Sequence, residues 1–244
     1  MKKLIISLLL AVTFSATAQI KIYKLGGKVL EGPKVTYKTG KVVLSMKGGE
    51  GSTLHDVTQI LRIESPLDGS KANMWKRFLA GDFELVGGKA GKGLQDANRF
   101  LGWGKRIAFA YCYSLIKNGD TANATQILGR VGGYMRGNND VLDMQLITIA
   151  LAYVDFVNGA TPRAQKKLDG IASKLEEDAR PFFYNLMGDI LAKQDKTSQA
   201  VLAYYKTVLL DKTSPYEKDY AKSKITEIYK KQGDTARVAK LKNL

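Results

Sequence analysis

Few residue types in this sequence could perform catalytic chemistry. The chain of 244 residues contains one histidine and one cysteine. His55 stands beside Asp56, a pair in which a carboxylate could orient an imidazole base. No nucleophile motif accompanies the pair, so we interpret His55 as a polar surface residue. A single Cys and a single His also exclude a disulfide framework or a Cys/His zinc site built from this chain alone.

Two other features invite a chemical interpretation that the sequence does not support. Cys112 lies in an apolar helical stretch, where we expect a buried packing residue rather than a reactive thiol. The glycine-rich segment 87–93 resembles a phosphate-binding loop, but Val86 and Gly93 replace the glycine and the hydroxyl residue that such a loop needs. We therefore predict a protein that is not an enzyme and has no cofactor. Isolated Asp and Glu residues that converge in the fold leave an enzyme open as a further hypothesis.

The composition predicts a folded protein with an excess of positive charge. Hydrophobic residues make up 45% of the chain and charged residues 25%, as in ordinary globular proteins. Lys and Arg total 38 against 23 for Asp and Glu, which gives a formal net charge of +15. Such a surface favours acidic partners over basic ones.

The first eighteen residues have the pattern of a secretory signal peptide. Lys2 and Lys3 precede an apolar run over 4–14, and Ala-Thr-Ala at 16–18 matches a cleavage site. The run is about half of the ~20 residues that a membrane-spanning helix needs. We predict cleavage after Ala18, which leaves a net charge of +13, and a periplasmic or secreted protein with no membrane span.

Residues 19–66 are predicted to form a small β-module. Apolar and polar residues alternate over 20–24, and Gly26-Gly27, Thr39-Gly40 and the segment 48–51 supply turns. Five short strands with such turns suggest a small antiparallel barrel or a curled sheet. The order of strands and turns resembles SH3-like and Sm-like small barrels.

Residues 67–244 carry a repeat of turns and small residues. The turns are Gly81-Asp82, Gly119-Asp120, Gly159-Ala160, Asp195-Lys196 and Gly233-Asp234. Their successive spacings are 38, 40, 36 and 38 residues. Five residues after each turn a small or β-branched residue follows, namely Val86, Ala124, Ala164, Ala200 and Val238. Two marks with one period indicate repeated helix–turn–helix units.

The repeat predicts about five helix pairs, and the chain as a whole is predicted to be α+β. The predicted first helices cover 71–80, 103–117, 141–157, 181–193 and 215–231. The predicted second helices cover 83–96, 121–132, 161–174, 197–210 and 235–242. Pro162, Pro181 and Pro215 stand where the first turn of a helix tolerates a missing donor.

The unit at 181–212 resembles the tetratricopeptide repeat family. Leu186 and Gly188 fit the family's Leu-Gly positions, and Ala200 and Tyr204 fit its small and aromatic positions in the second helix. The spacing is longer than the family's period of about 34 residues, and Tyr184 stands at its Trp position.

This resemblance implies a solenoid whose first helices line a concave groove. The predicted groove residues are Arg106, Phe109, Tyr113, Phe182, Asn185, Asp189, Tyr220, Ser223 and Glu227. It also implies a non-enzymatic scaffold that binds another envelope protein or peptide through this groove. The net charge leaves open an alternative, the binding of an anionic envelope polymer or glycan. No nucleic acid partner is expected in that compartment.

Overall fold

The computed structural model describes residues 20–38, 41–46, 48, 51–64, 69–90, 104–134 and 141–241. The predicted signal peptide, the segment 65–68 and the predicted end of the first pair's second helix lie outside these residues. Within them the α+β class is confirmed. Two small three-stranded antiparallel sheets precede a helical region in which successive helices pack against one another.

Six short strands form the two sheets. They are β1 (Ile20–Lys24), β2 (Val29–Gly32), β3 (Lys34–Lys38), β4 (Lys41–Ser45), β5 (Ser52–Asp56) and β6 (Ile60–Glu64). One sheet has the order β2-β1-β6 and the other β3-β4-β5. Ile22 and Ile63 from the first sheet share one buried cluster with Val42 and Leu44 from the second. The alternating apolar residues thus form a core that both sheets share.

The two sheets approach each other at Gly32, the last residue of β2. Pro33 separates β2 from β3 and cannot donate a ladder hydrogen bond. A Cβ atom on Gly32 would collide with the Ser45 carbonyl oxygen and lie 2.8 Å from Leu44 Cδ1. Only glycine therefore allows this approach without displacing β4.

Gly32→Ala is expected to destabilise the β-module by about 1–2 kcal/mol, because the added methyl overpacks the contact between the sheets. Hydrogen exchange of the amides in β1, β4 and β6 measures the effect. The neighbouring Lys34 is exposed, so Lys34→Ala is the control and should leave the exchange nearly unchanged. Equal protection in the two variants would contradict the packing argument.

The helices follow the predicted alternation. The first helices of the pairs are α1 (Gly69–Leu79), α3 (Gly104–Lys117), α5 (Val141–Val157), α7 (Arg180–Lys193) and α9 (Pro215–Lys231). The second helices are α2 (Phe83–Ala90), α4 (Thr121–Tyr134), α6 (Thr161–Asp169), α8 (Thr197–Leu210) and α10 (Thr235–Leu241). Helix α6 ends at Asp169, earlier than predicted, and Gly170 caps its C-terminus. The chain then forms 3-10 turns at Ala172–Lys174 and Glu177–Ala179.

The turn residues that marked the repeat adopt the left-handed backbone conformation. Gly81, Gly119, Gly159 and Gly233 have φ between 72° and 86°, and Asp195 has φ 58°. Glycine adopts this region without strain, whereas Asp195 is the one non-glycine residue with positive φ among the described residues. The small or β-branched residues five positions after these turns pack inward. Four of them are fully buried, namely Val86, Ala124, Ala164 and Ala200.

The first helices close around a filled interior. Helices α1, α3, α5, α7 and α9 contact one another in that order, and α9 also contacts α1. At this closure the rings of Tyr216 and Phe83 lie 4.6 Å apart, and a Cβ atom on Gly81 would collide with Tyr216. The first turn of α9 therefore lies against the turn between α1 and α2. None of the helices in the described part of the chain combines the length and apolar character needed to cross a membrane.

Candidate functional site

Four of the predicted groove residues are buried inside the helical region. Phe109, Tyr113, Phe182 and Asn185 are 0 to 3% exposed. The ring of Phe182 lies 5.1 Å from that of Phe109 and 5.4 Å from that of Tyr113. These side chains face inward, as expected for first helices, but the return of α9 to α1 leaves them almost no surface to offer a partner.

Two other predicted groove residues lie apart from this interior. Arg106 Nε pairs with Asp143 Oδ1 at 3.3 Å and so joins α3 to α5. Ser223 is exposed on α9. Neither residue lines the cavity to which the remaining three contribute.

Asp189, Tyr220 and Glu227 line a cavity of about 420 Å³. Its wall is made by α5, α7, α8 and α9, and its other lining residues are Tyr153, Phe156, Val157, Ala192, Tyr204, Lys224, Ile228 and Lys231. A second cavity of about 310 Å³ shares Ala192, Ile228 and Lys231 with it and extends to Asp195 and Thr197. The two cavities therefore adjoin, and we call them together the α7/α9 groove.

Asp189 lies at the base of this groove as an acceptor for two tyrosines. Its Oδ1 accepts the Tyr204 hydroxyl at 2.7 Å and the Tyr220 hydroxyl at 2.8 Å. Burial raises the pKa of Asp189, and the two tyrosine hydrogen bonds and the charges of Lys117 and Lys224 only partly oppose it. Burial and the Asp189 charge raise the pKa of both tyrosines. The hydrogen bonds fix both rings in the groove wall.

The rim of the groove carries lysines. Lys224 pairs with Glu227 at 3.2 Å, and its Nζ lies 5.5 Å from the Tyr220 ring centroid. Lys193 Nζ lies 5.1 Å from the centroid of Phe156. The groove therefore combines aromatic walls with cationic side chains at its edge.

Behind the groove wall, the ammonium of Lys117 is surrounded by tyrosine rings. Its Nζ lies 4.3 Å from the centroid of Tyr220, and the rings of Tyr113, Tyr153 and Tyr216 follow at 5.2 to 5.6 Å. Cation–π attraction places a positive charge in a largely apolar interior. This charge lies near two buried carboxylates, those of Asp189 and Glu217.

Glu217 joins three of the first helices through hydrogen bonds. Its Oε1 accepts the Tyr113 hydroxyl at 2.9 Å, and its Oε2 accepts Asn185 Nδ2 at 2.7 Å. Burial raises the pKa of Glu217, while Lys117 and the two hydrogen bonds act in the opposite direction. Because Tyr113 is on α3, Asn185 on α7 and Glu217 on α9, this carboxylate fixes the closure of the helices.

The pair formed by His55 and Asp56 does not act as one unit in the structure. His55 Nε2 shares a hydrogen bond of 2.8 Å with Thr53 Oγ1, whereas Asp56 accepts from the Thr58 backbone and hydroxyl. Burial, and then the charges of Lys24 and Lys28, lower the pKa of His55. Successive side chains of a strand point to opposite faces of the sheet, so His55 and Asp56 of β5 have separate partners.

Cys112 is fully buried, as predicted, and burial raises the pKa of its thiol to about 12. A thiol in this environment is almost entirely protonated at neutral pH and is a weak nucleophile. No group of three His, Cys, Asp or Glu residues within the described ranges could hold a metal ion.

The sequence analysis missed Lys117, Tyr153 and Glu217. Helical spacing could have identified two of them. Lys117 follows Tyr113 by one helical turn and Glu217 precedes Tyr220 by three residues, so each shares a helix face with a predicted groove residue. No groove residue was predicted from α5, although Tyr153 lies within its predicted bounds. The chain matches no model of a known protein family, and no curated protein or solved structure is detectably similar to it.

Proposed function

We propose that this protein is a non-enzymatic scaffold of the cell envelope that binds a segment of another protein in the α7/α9 groove. The observation that carries the proposal is that the two cavities adjoin, since both are lined by Ala192, Ile228 and Lys231. Adjoining cavities suit an extended peptide, which needs several neighbouring subsites rather than one enclosed pocket. The signal-peptide pattern and the resemblance to tetratricopeptide repeats support the same proposal.

The chemistry of the groove is also suited to peptide recognition. The larger cavity, of about 420 Å³, falls within the range of about 300–1,000 Å³ that is typical of ligand sites. Tyr153, Phe156 and Tyr220 offer large, rigid aromatic surfaces, the kind that dominates binding energy at interfaces. Because α9 closes the buried aromatic interior, we assign binding to the C-terminal parts of α5, α7 and α9, which line the groove, and not to the whole concave face.

A second candidate function is the binding of an anionic polymer or glycan of the envelope. The lysines at the groove rim, Lys193, Lys224 and Lys231, and the net charge of the chain favour it. Polymer binding through these charges would weaken strongly with salt, since the Debye length falls to about 8 Å at 0.15 M. The affinity for a peptide held by the aromatic wall would fall much less as the salt concentration rises.

The test is photo-crosslinking in the source cell from two positions of comparable exposure. Val157 lines the groove and is 48% exposed, whereas Val141 at the start of α5 is 50% exposed and lines none of the three cavities. We expect one recurrent envelope protein to be crosslinked from position 157 and not from position 141. Crosslinks from neither position, with recovery only of wall or glycan material, would favour the polymer instead.

Phe156→Ala should weaken the binding of that partner about tenfold, because it removes an aromatic anchor from the groove wall. Titration of the purified partner against the variant measures the change, and circular dichroism checks the fold. Val141→Ala, at an exposed position of α5 that lines none of the three cavities, is the control and should bind as the unaltered protein does. Equal affinities for the two variants would exclude the α7/α9 groove as the binding site.

A further inference from the structure

Helix α8 exposes leucines on the face where a solvated helix normally carries charges. Leu202 is 61% exposed, Leu209 62% and Leu210 45%. Leu209 and Leu210 follow Leu202 by seven and eight residues, about two helical turns, so the three leucines lie in one stripe with Lys206 between them. Scattered exposed apolar residues need no explanation, but a contiguous stripe indicates an interaction surface.

An apolar cavity adjoins this stripe. It has a volume of about 340 Å³ and lies between α7, α8 and the turn that follows α6. It is lined by Ala172, Phe183, Tyr184, Met187, Leu191, Gln199, Leu202, Ala203 and Lys206. A cavity with aromatic and methionine side chains beside exposed leucines can receive the apolar face of an amphipathic helix. We call the stripe and this cavity together the α8 surface.

The charge at the centre of the α8 surface argues against a second copy of this chain as its occupant. Twofold self-pairing of the stripe, whether parallel or antiparallel, brings Lys206 close to Lys206 of the other copy. Two like charges at the centre of an apolar contact are unfavourable. Lys206 Nζ lies only 5.0 Å from the Tyr184 ring centroid, so its charge is held near the cavity.

We propose that the α8 surface binds an amphipathic helix of a partner protein, with an Asp or Glu of that helix facing Lys206. The leucines and the cavity receive the apolar residues on either side of the acidic one. The site lies on a second helix of the repeat and shares none of the lining residues of the α7/α9 groove. The protein then has two separate docking surfaces, one for an extended segment and one for a helix.

The test is selection from a displayed library of helical peptides against the full mature chain. Each peptide has leucines at helical spacing on one face and a randomised residue at the centre of that face. We expect enrichment of Asp and Glu at the central position. The best acidic peptide should bind at least threefold more weakly to Lys206→Glu, while peptides with a central Lys or Arg bind that variant better.

Two controls separate this surface from general charge and apolar effects. Lys230→Glu, an exposed charge reversal on α9, should leave the peptide preference unchanged. Leu202→Asn combined with Leu209→Asn should weaken the acidic peptide at least tenfold without loss of helix content, since both leucines are mainly exposed. No enrichment of acidic residues, or equal effects of Lys206→Glu and Lys230→Glu, would overturn the proposal.

A photo-crosslinker at position 209 identifies the other possible occupants. Crosslinks to the selected acidic peptide support the proposal. Crosslinked dimers of the chain, or internal crosslinks to the segment 91–103, would assign the surface to a second copy or to the chain itself and overturn it. The selection uses no ligand of the α7/α9 groove, so it succeeds or fails independently of the function proposed above.

Discussion

Glu217→Ala is expected to lower the free energy of unfolding by about 3 kcal/mol. The carboxylate is 1% exposed and accepts hydrogen bonds from Tyr113 and Asn185. Its removal leaves the buried Tyr113 hydroxyl without this acceptor and deprives Lys117 of a nearby negative charge. An unsatisfied buried polar group costs about 1–3 kcal/mol, and a broken buried charge interaction adds to that. Denaturant unfolding of the mature chain measures the loss.

Two variants distinguish the hydrogen bonds from the charge. Glu217→Gln keeps the volume and one acceptor but removes the buried charge, so we expect a loss of about 1 kcal/mol or less. Glu84→Gln makes the same change at an exposed position of α2 and should stay within about 0.5 kcal/mol of the unaltered protein. If Glu217→Ala destabilised the protein no more than Glu84→Gln does, Glu217 would not hold α3, α7 and α9 together.

The same carboxylate predicts a particular dependence on pH. Because burial raises the pKa of Glu217, the folded protein holds this proton more tightly than the unfolded chain does. The stability that results is fully present below the unfolded-state pKa of about 4.3 and is lost as the pH rises through the folded-state pKa. We therefore expect the stability of the unaltered protein relative to Glu217→Gln to fall as the pH rises above about 4. A relative stability that rises with pH would mean that attraction to Lys117 outweighs burial.

The order of elements in this fold could be predicted from the sequence because local signals mark it. Gly81, Gly119, Gly159 and Gly233 permit the left-handed turns, and the predicted bounds of α5, α8 and α9 match those of the structure. In the β-module, alternation and glycine turns predicted five strands in one barrel or curled sheet, whereas the described residues form six strands in two sheets. The sequence did not reveal that the strands on either side of Pro33 belong to different sheets, since that division depends on the contact of Gly32 with β4.

The candidate site was predicted less completely, because its geometry depends on contacts between distant residues. The resemblance to tetratricopeptide repeats assigned residues to the inner faces of α3, α7 and α9, but it could not show that Tyr216 reaches the turn at Gly81. The hydrogen bond from Tyr113 to Glu217 likewise joins residues 104 positions apart. Such contacts decide whether an inner-face residue is buried, as Phe182 is, or lines an open groove, as Tyr220 does.

The second large effect is expected at Gly188, where α7 packs closely against Tyr204 of α8. A Cβ atom on Gly188 would lie 2.5 Å from Tyr204 Cε1 and 2.7 Å from its Cζ. The Tyr204 ring is 1% exposed, and its hydroxyl is bound to Asp189, so it has little room to move. Gly188→Ala is therefore expected to destabilise the protein by about 2–3 kcal/mol, even though alanine favours a helix more than glycine does.

Gly129 on α4 is the matched control, because it is exposed and a Cβ atom there would meet no other atom within 4 Å. Gly129→Ala gains helix propensity without a clash and should stabilise the protein by about 0.5–1 kcal/mol. Thermal and denaturant unfolding of both variants measure the difference. Because Tyr204 and Asp189 line the α7/α9 groove, Gly188→Ala should also weaken partner binding, whereas Gly129→Ala should not. Stabilisation by both alanines would show that Tyr204 can yield and that the contact between α7 and α8 does not require glycine.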